Sequence, residues 1–302
     1  MRFFVAAVAI ALPISFAVAQ EGKPTWQIPA DAKWEMINGY PLTYRDEGSG
    51  APVVMLHGSL SDYRSFTPQF KTLVGSHRLI VPSLRHSYPE YWRGEGSDFS
   101  IEQHAADVAA LIRKLGLGKV HLVGWSRGGA VAIEVVKAHP DLIRTLVMED
   151  GSIVMPVDDT PEARKAADAT ANNIATLRAN LSAGDPAKAA EVFVDTINGA
   201  GAWQKYPEAI KQLVLSNIYT ALGDKSRPTT TCNDLTKFSF PVLLMTAERS
   251  PKNFAFFYGE MRKCREFGEP IVIPNSAHNI HAGNTEAYNR ALLSFFAQNA
   301  GQ

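Results

Sequence analysis

The run VHLVGWSRGGAVAIEVV, Val120 to Val136, constrains this chain most. A segment apolar but for His121 enters a turn of one serine among glycines and leaves as a largely apolar helical segment. A strand without polar alternation is buried on both faces. A strand feeding straight into a helix is half of a βαβ unit. The same rhythm recurs along the chain. Strands are expected at Pro52–Leu56, Arg78–Pro82, Lys119–Gly124, Ile143–Met148, Pro241–Thr246 and Pro270–Ile273. Helices are expected at Tyr63–Val74, Ile101–Leu115, Gly128–Ala138, Asn253–Cys264 and Thr285–Gln298. Lys33 to Arg45 alternates and turns at Asn38-Gly39, a hairpin signal. The pattern predicts an α/β fold, a mostly parallel doubly wound sheet with helices on both faces. From residue 156 to 234 the rhythm stops and only helical or irregular patterns remain, a helical insertion. The flanking parts, 20–155 and 235–302, then form one α/β core.

Residues 1–19 carry Arg2, then an apolar run, then Ala17-Val18-Ala19, which fits a secretory leader cleaved after Ala19. The competing reading is a retained anchor. Cleavage implies a periplasmic or secreted protein with no stable membrane anchor. Cys232 and Cys264 are then either one disulfide or two separate thiols. Basic and acidic residues number 30 each, for a formal net charge of zero, which argues against a nucleic-acid partner. No metal-ligand motif, dinucleotide loop or P-loop is present in the sequence, so neither metal nor cofactor is expected, and the partner is a small-molecule substrate.

Gly124-Trp125-Ser126-Arg127-Gly128 has the form G-x-S-x-G between an expected strand and an expected helix. Small residues two before and two after the serine let the backbone turn tightly. The serine then stands at a helix N-terminus, where N–H groups favour developing negative charge. That position suits a nucleophile, and a serine needs a base. His278 follows the last expected strand, at the same sheet edge as Ser126, and His281 is its rival. The base needs an orienting carboxylate. Asp150 or Glu149 at the end of LVMED, or Glu248 in LLMTAERSP, offers one.

The His57-Gly58 strand end, the Gly124–Gly129 elbow, the helical insertion and the His278 loop together resemble the α/β-hydrolase superfamily, over nearly all of the chain after the leader. The resemblance implies that the insertion is a cap over the active site. It implies an oxyanion hole made by the backbone N–H groups of Ser59 and Arg127, with the Arg127 side chain left for solvent or the cap. Many members keep the acid just before a proline after the penultimate strand, but here Ser250 precedes Pro251. A minority, including haloalkane dehalogenases and zearalenone-type lactonases, carry it one strand earlier, which matches Asp150 and leaves Glu248 as the alternative. A serine nucleophile implies acyl chemistry on an ester, a lactone, a thioester or a carbon–carbon bond beside a carbonyl, with a capped esterase or lactonase as the expected type. Leu60, Tyr88, Trp92, Trp203 and Tyr219 are candidate pocket residues for an apolar or aromatic substrate. Two other readings stay open: a non-catalytic ligand-binding member of the fold, and a cofactor-free perhydrolase of haloperoxidase type.

Overall fold

The structure, a computed structural model, describes residues 23–223 and 227–301, with the side chains of residues 169 and 170 left aside. The expected leader lies outside the described residues. Eight strands form one sheet: β1 (Lys33–Ile37), β2 (Tyr40–Glu47), β3 (Ala51–Leu56), β4 (His77–Pro82), β5 (Val120–Trp125), β6 (Ile143–Glu149), β7 (Val242–Ala247) and β8 (Ile271–Ile273). Their order is β1-β2-β4-β3-β5-β6-β7-β8. The first two strands form the expected hairpin and run antiparallel to their neighbours, and β3 to β8 are parallel. The chain leaves β3 for one side of it and returns to the other side as β5. Ligands in open α/β sheets bind beyond the strand ends at such a switch point.

The strand pleat builds two cores. Val54, Leu56, Ile80, Leu122, Leu146 and Leu244 face one cluster, with α2 (Ile101–Lys114) and α3 (Arg127–Ala138) packed on it. Their neighbours Val53, Met55, Val81, Val123, Val147 and Met245 face the other, against α1 (Thr67–Leu73) and α11 (Thr285–Gln298). This is the period-two alternation of a sheet buried on both faces. Some helix starts carry side-chain caps. Ser100 accepts from the Gln103 N–H ahead of α2, and Asn284 accepts from the Ala287 N–H ahead of α11.

Between β6 and β7 lie the helices α4 (Pro161–Ser182), α5 (Pro186–Asn198), α6 (Ala202–Lys205), α7 (Glu208–Ser216) and α8 (Cys232–Thr236). Leu177, Phe193, Trp203, Val214 and Ile218 form a third apolar cluster there, closed from the core side by Leu60. Asn217 latches this layer to the core. Its amide donates to Asp62 Oδ2 at 2.6 Å, and its oxygen accepts the Tyr88 N–H at 2.8 Å. Beyond β7 come α9 (Lys252–Cys264) and α10 (Ile280–Gly283). A disulfide joins Cys232 in α8 to Cys264 at the end of α9.

The glycines of the fold divide by what surrounds them. A Cβ on Gly128 would stand 2.2 Å from the Leu56 carbonyl oxygen, whereas one on Gly259, inside α9, would meet nothing within 4 Å. Gly128→Ala is therefore expected to lower the unfolding free energy by about 3 kcal/mol or more. Gly259→Ala should raise it by about 0.5–1 kcal/mol through helix propensity. Urea denaturation of the two variants tests the opposite signs.

Candidate active site

Ser126 sits between the end of β5 and the first residue of α3 at φ 51° and ψ −121°. A non-glycine residue held there costs on the order of 1–3 kcal/mol. The surroundings hold it. The Ser126 N–H donates to Glu149 O at 3.0 Å, and the Ser126 carbonyl accepts from Gly129 and Ser152 at 2.9 and 2.8 Å. The β3 turn crosses close by, since a Cβ on Gly58 would lie 3.0 Å from the Ser126 Cβ. His57 fixes that turn. Its Nδ1–H donates to Gly58 O and its Nε2 accepts the Leu84 N–H, both at 2.9 Å. Ser59 follows on this turn, and among the described residues its N–H has no hydrogen-bond partner. An unsatisfied donor beside a serine is what an oxyanion requires.

Asp150 is wholly buried at φ 39°. Its Oδ2 lies 3.1 Å from His278 Nδ1 and also accepts from Ser250 Oγ, while Oδ1 accepts from Thr246 Oγ1 at 2.7 Å. Tyr258 pins the chain beside it, donating to Met148 O at 2.8 Å and accepting the Gly151 N–H at 2.7 Å. The His278 ring stacks on Phe254 at 4.7 Å, and the His278 carbonyl accepts Trp125 Nε1–H at 2.9 Å. With Nδ1 engaged by Asp150, Nε2 is the nitrogen left for proton transfer. His281 belongs to another group. Its Nδ1 donates to Glu149 Oε1 at 2.6 Å, and Tyr288 OH donates to Glu149 Oε2 at 2.8 Å. Glu149, the last residue of β6, and Asp150, the residue after it, thus hold histidines on opposite sides of the strand end.

Several expected positions lie elsewhere. Glu248 accepts the Asn275 N–H at 2.8 Å, and its side chain is 56% exposed. It therefore anchors a turn, and the Nδ1 of His278 is taken by Asp150. The Arg127 side chain is not solvated. It is buried, with Nη1 2.9 Å from His104 Nδ1 and its guanidinium over Phe99. Trp92 is stacked between His86 and Phe99, and Tyr88 lies under the Arg64 guanidinium. Trp203 is buried in the cap cluster, and Tyr219 lies near Arg93. These four aromatics pack the loop and the cap instead of facing the cavity. Leu60 does face it.

The cavity has a volume of about 570 Å³ and opens between core and cap. Ser59, Leu60, Ser126 and His278 line it from the core, and Phe193, Val194, Tyr206, Ile210 and Leu213 line it from the cap. Asn279, next to His278, ties the two sides together. Its amide donates to Tyr206 OH at 2.9 Å, and its N–H donates to Asn198 Oδ1 at 3.3 Å. Sequence reading missed Thr246, Ser250, Asn279 and the His281–Glu149 pair.

Comparison with known proteins agrees with this fold. The alpha/beta hydrolase family matches residues 53–291. A 2-(acetamidomethylene)succinate hydrolase from Mesorhizobium japonicum is 26% identical over 86% of this chain and 92% of its own. A serine hydrolase from Mus musculus is 26% identical over 86% of this chain and 84% of its own. The structure of a thermophilic esterase from Thermogutta terrifontis superposes with a TM-score of 0.70 at 24% identity, covering 89% of this chain and 99% of that one.

Burial pushes the pKa of His57 and of His121 down to about 4, and that of His104 well below its usual value. The unfolded chain keeps these groups near 6.5 and so takes up protons first as the pH falls. The stability present above pH 6.5 is thus lost progressively toward pH 4, with His57 alone accounting for about 3 kcal/mol. His86 has a raised pKa, because its contacts with Glu90 and Asp98 outweigh burial, so its contribution is already complete below pH 6.5. Calorimetry should show Tm falling between pH 6.5 and 4. A flat profile there would contradict neutral buried histidines.

Proposed function

The chain belongs to the alpha/beta hydrolase family, and on that premise we propose that it is an exported serine hydrolase cleaving a carboxylic ester or lactone of a small apolar or aromatic substrate. The observation that carries this reading is the buried Asp150–His278 pair, with His278 and Ser126 on the wall of one largely apolar cavity. Its relatives are hydrolases and esterases, which supports the reaction class.

In the proposed course, His278 Nε2 takes the Ser126 proton as Oγ attacks the acyl carbon. Asp150 holds the ring in the Nδ1–H tautomer and stabilises the imidazolium that forms. The oxyanion is bound by the N–H groups of Ser59 and Arg127. Collapse of the tetrahedral intermediate transfers the proton from His278 to the leaving oxygen and leaves an acyl group on Ser126. Water, deprotonated by the same nitrogen, then releases the acid. Ser250, at the position where many relatives of this fold keep their acid, donates to Asp150. That contact favours catalysis over a ligand-binding role. Export rests on the character of residues 1–19 and on the Cys232–Cys264 disulfide, which suits an oxidising compartment.

A fluorophosphonate probe should add once to the wild-type protein and not to Ser126→Ala, read by intact mass. Absence of an adduct on folded wild-type protein would remove the serine-hydrolase reading. Asp150→Asn should lower kcat on a 4-nitrophenyl ester by about a thousandfold or more. Glu248→Gln should change it by about twofold at most, as suits an exposed carboxylate. Exchanged effects would assign the acid to Glu248.

A further inference from the structure

The charges around the cavity are one-sided. Among the described residues that line it there is no aspartate and no glutamate, but there are Lys205 and Arg249. They come from opposite layers, Lys205 from the last residue of α6 in the cap and Arg249 from the loop after β7. Lys205 has no ion-pair partner among the described residues. The nearest carboxylate oxygen to Arg249 is that of its own neighbour Glu248, at 3.9 Å, with both side chains mostly exposed. The two buried carboxylates beneath the wall, Glu149 and Asp150, are each engaged by a histidine and by hydroxyl donors.

Two cations at the rim of a mostly apolar hollow, with no carboxylate among the described residues that line it, bias its field toward positive. A neutral acyl or alkyl group fills the hollow but leaves those cations unused. A carboxylate engages them.

We infer that this cavity selects ester substrates carrying a carboxylate remote from the scissile bond, with Lys205 and Arg249 as the specificity-determining residues. The inference rests on the serine-hydrolase reading for turnover but not for binding. Guanidinium and ammonium groups at a rim act mainly on capture of substrate, so the effect belongs in kcat/KM and should weaken with salt.

The test compares mono-4-nitrophenyl adipate with 4-nitrophenyl hexanoate, which share the acyl length and the leaving group. The ratio of kcat/KM, anionic over neutral, should be about tenfold in favour of the adipate at low ionic strength and should shrink in about 0.5 M salt. In the Lys205→Ala/Arg249→Ala variant that ratio should fall about fivefold or more. Lys211→Ala removes a cation that lies over the Trp203 ring and is outside the lining, so it should keep the ratio. A ratio that is the same in wild type and double variant, or a wild-type preference for the hexanoate, overturns the inference while leaving the hydrolase reading intact. If neither ester turns over and the probe does not label Ser126, the hydrolase reading fails instead. Calorimetric titration of adipate into Ser126→Ala then decides the anion question. Binding that disappears when Lys205 and Arg249 are also replaced upholds the inference, and no binding of adipate overturns it.

Discussion

Asp150 is a carboxylate with no exposure to solvent, and removing one from water costs several kcal/mol unless donors replace the water. Three side chains do so, from three separate parts of the chain: Thr246 in β7, Ser250 in the turn after it, and His278 beyond β8. The rest of the site depends on that convergence. It fixes the ring of His278 through Nδ1, sets the spacing between the ends of β6 and β7, and commits the loop after β8 to one position. Glu149 performs the equivalent task on the other side of the strand. It holds His281 and Tyr288, and through them the start of α11. Charge–hydrogen-bond clusters of this kind stabilise little against an apolar core, yet breaking one leaves a buried charge unpaired. They therefore specify a geometry more than they add stability.

Much of the fold was legible in the sequence because it is written in periodicity. The apolar run at Pro52–Leu56 and the largely apolar one at Val120–Gly124 mark strands buried on both faces, and Asn38-Gly39 marks the hairpin. Ser126 was legible because a strand, a tight turn and a helix leave a local signature. The acid was not legible to the same degree. Asp150 and Glu248 both end strands at the right sheet edge, and only the three-dimensional meeting of β7, the Ser250 turn and His278 distinguishes them. The role of Ser250 was invisible because it consists of donating to a group 100 positions away in sequence. Tyr88 and Trp92, in the irregular segment between β4 and α2, misled for a related reason. An irregular loop has no period from which to read side-chain direction, and Trp92 turned toward His86 and Phe99. The His281–Glu149 pair did have a signal: two neighbouring carboxylates on a strand must point to opposite faces, and the histidines come three residues apart.

The cap is fastened to the core at both ends of the cavity. Asn217 binds Asp62 and the Tyr88 backbone at one end, and Asn279 binds Tyr206 and the Asn198 side chain at the other. The second fastening involves the residue next to His278. The position of the cap and the position of the histidine are thus set by one short stretch of backbone. The apolar cluster formed by Phe193, Trp203, Val214 and Ile218 gives the cap its own packing, so these few polar contacts orient a preformed layer.

The order Glu149-Asp150 also bears on how this region of the gene can change. Side chains along a strand alternate, so a shift of one position sends each to the face its neighbour held. Insertion of a single codon within β6 would carry Glu149 to the position facing His278 and Met148 to the position facing His281, whereas a deletion would carry Asp150 to the position facing His281 and Gly151 to the one facing His278. Point substitutions along β6 alter one contact at a time. A one-codon length change there changes the partners of both histidines at once and leaves one of them without a carboxylate, so the length of this strand is constrained more tightly than its composition.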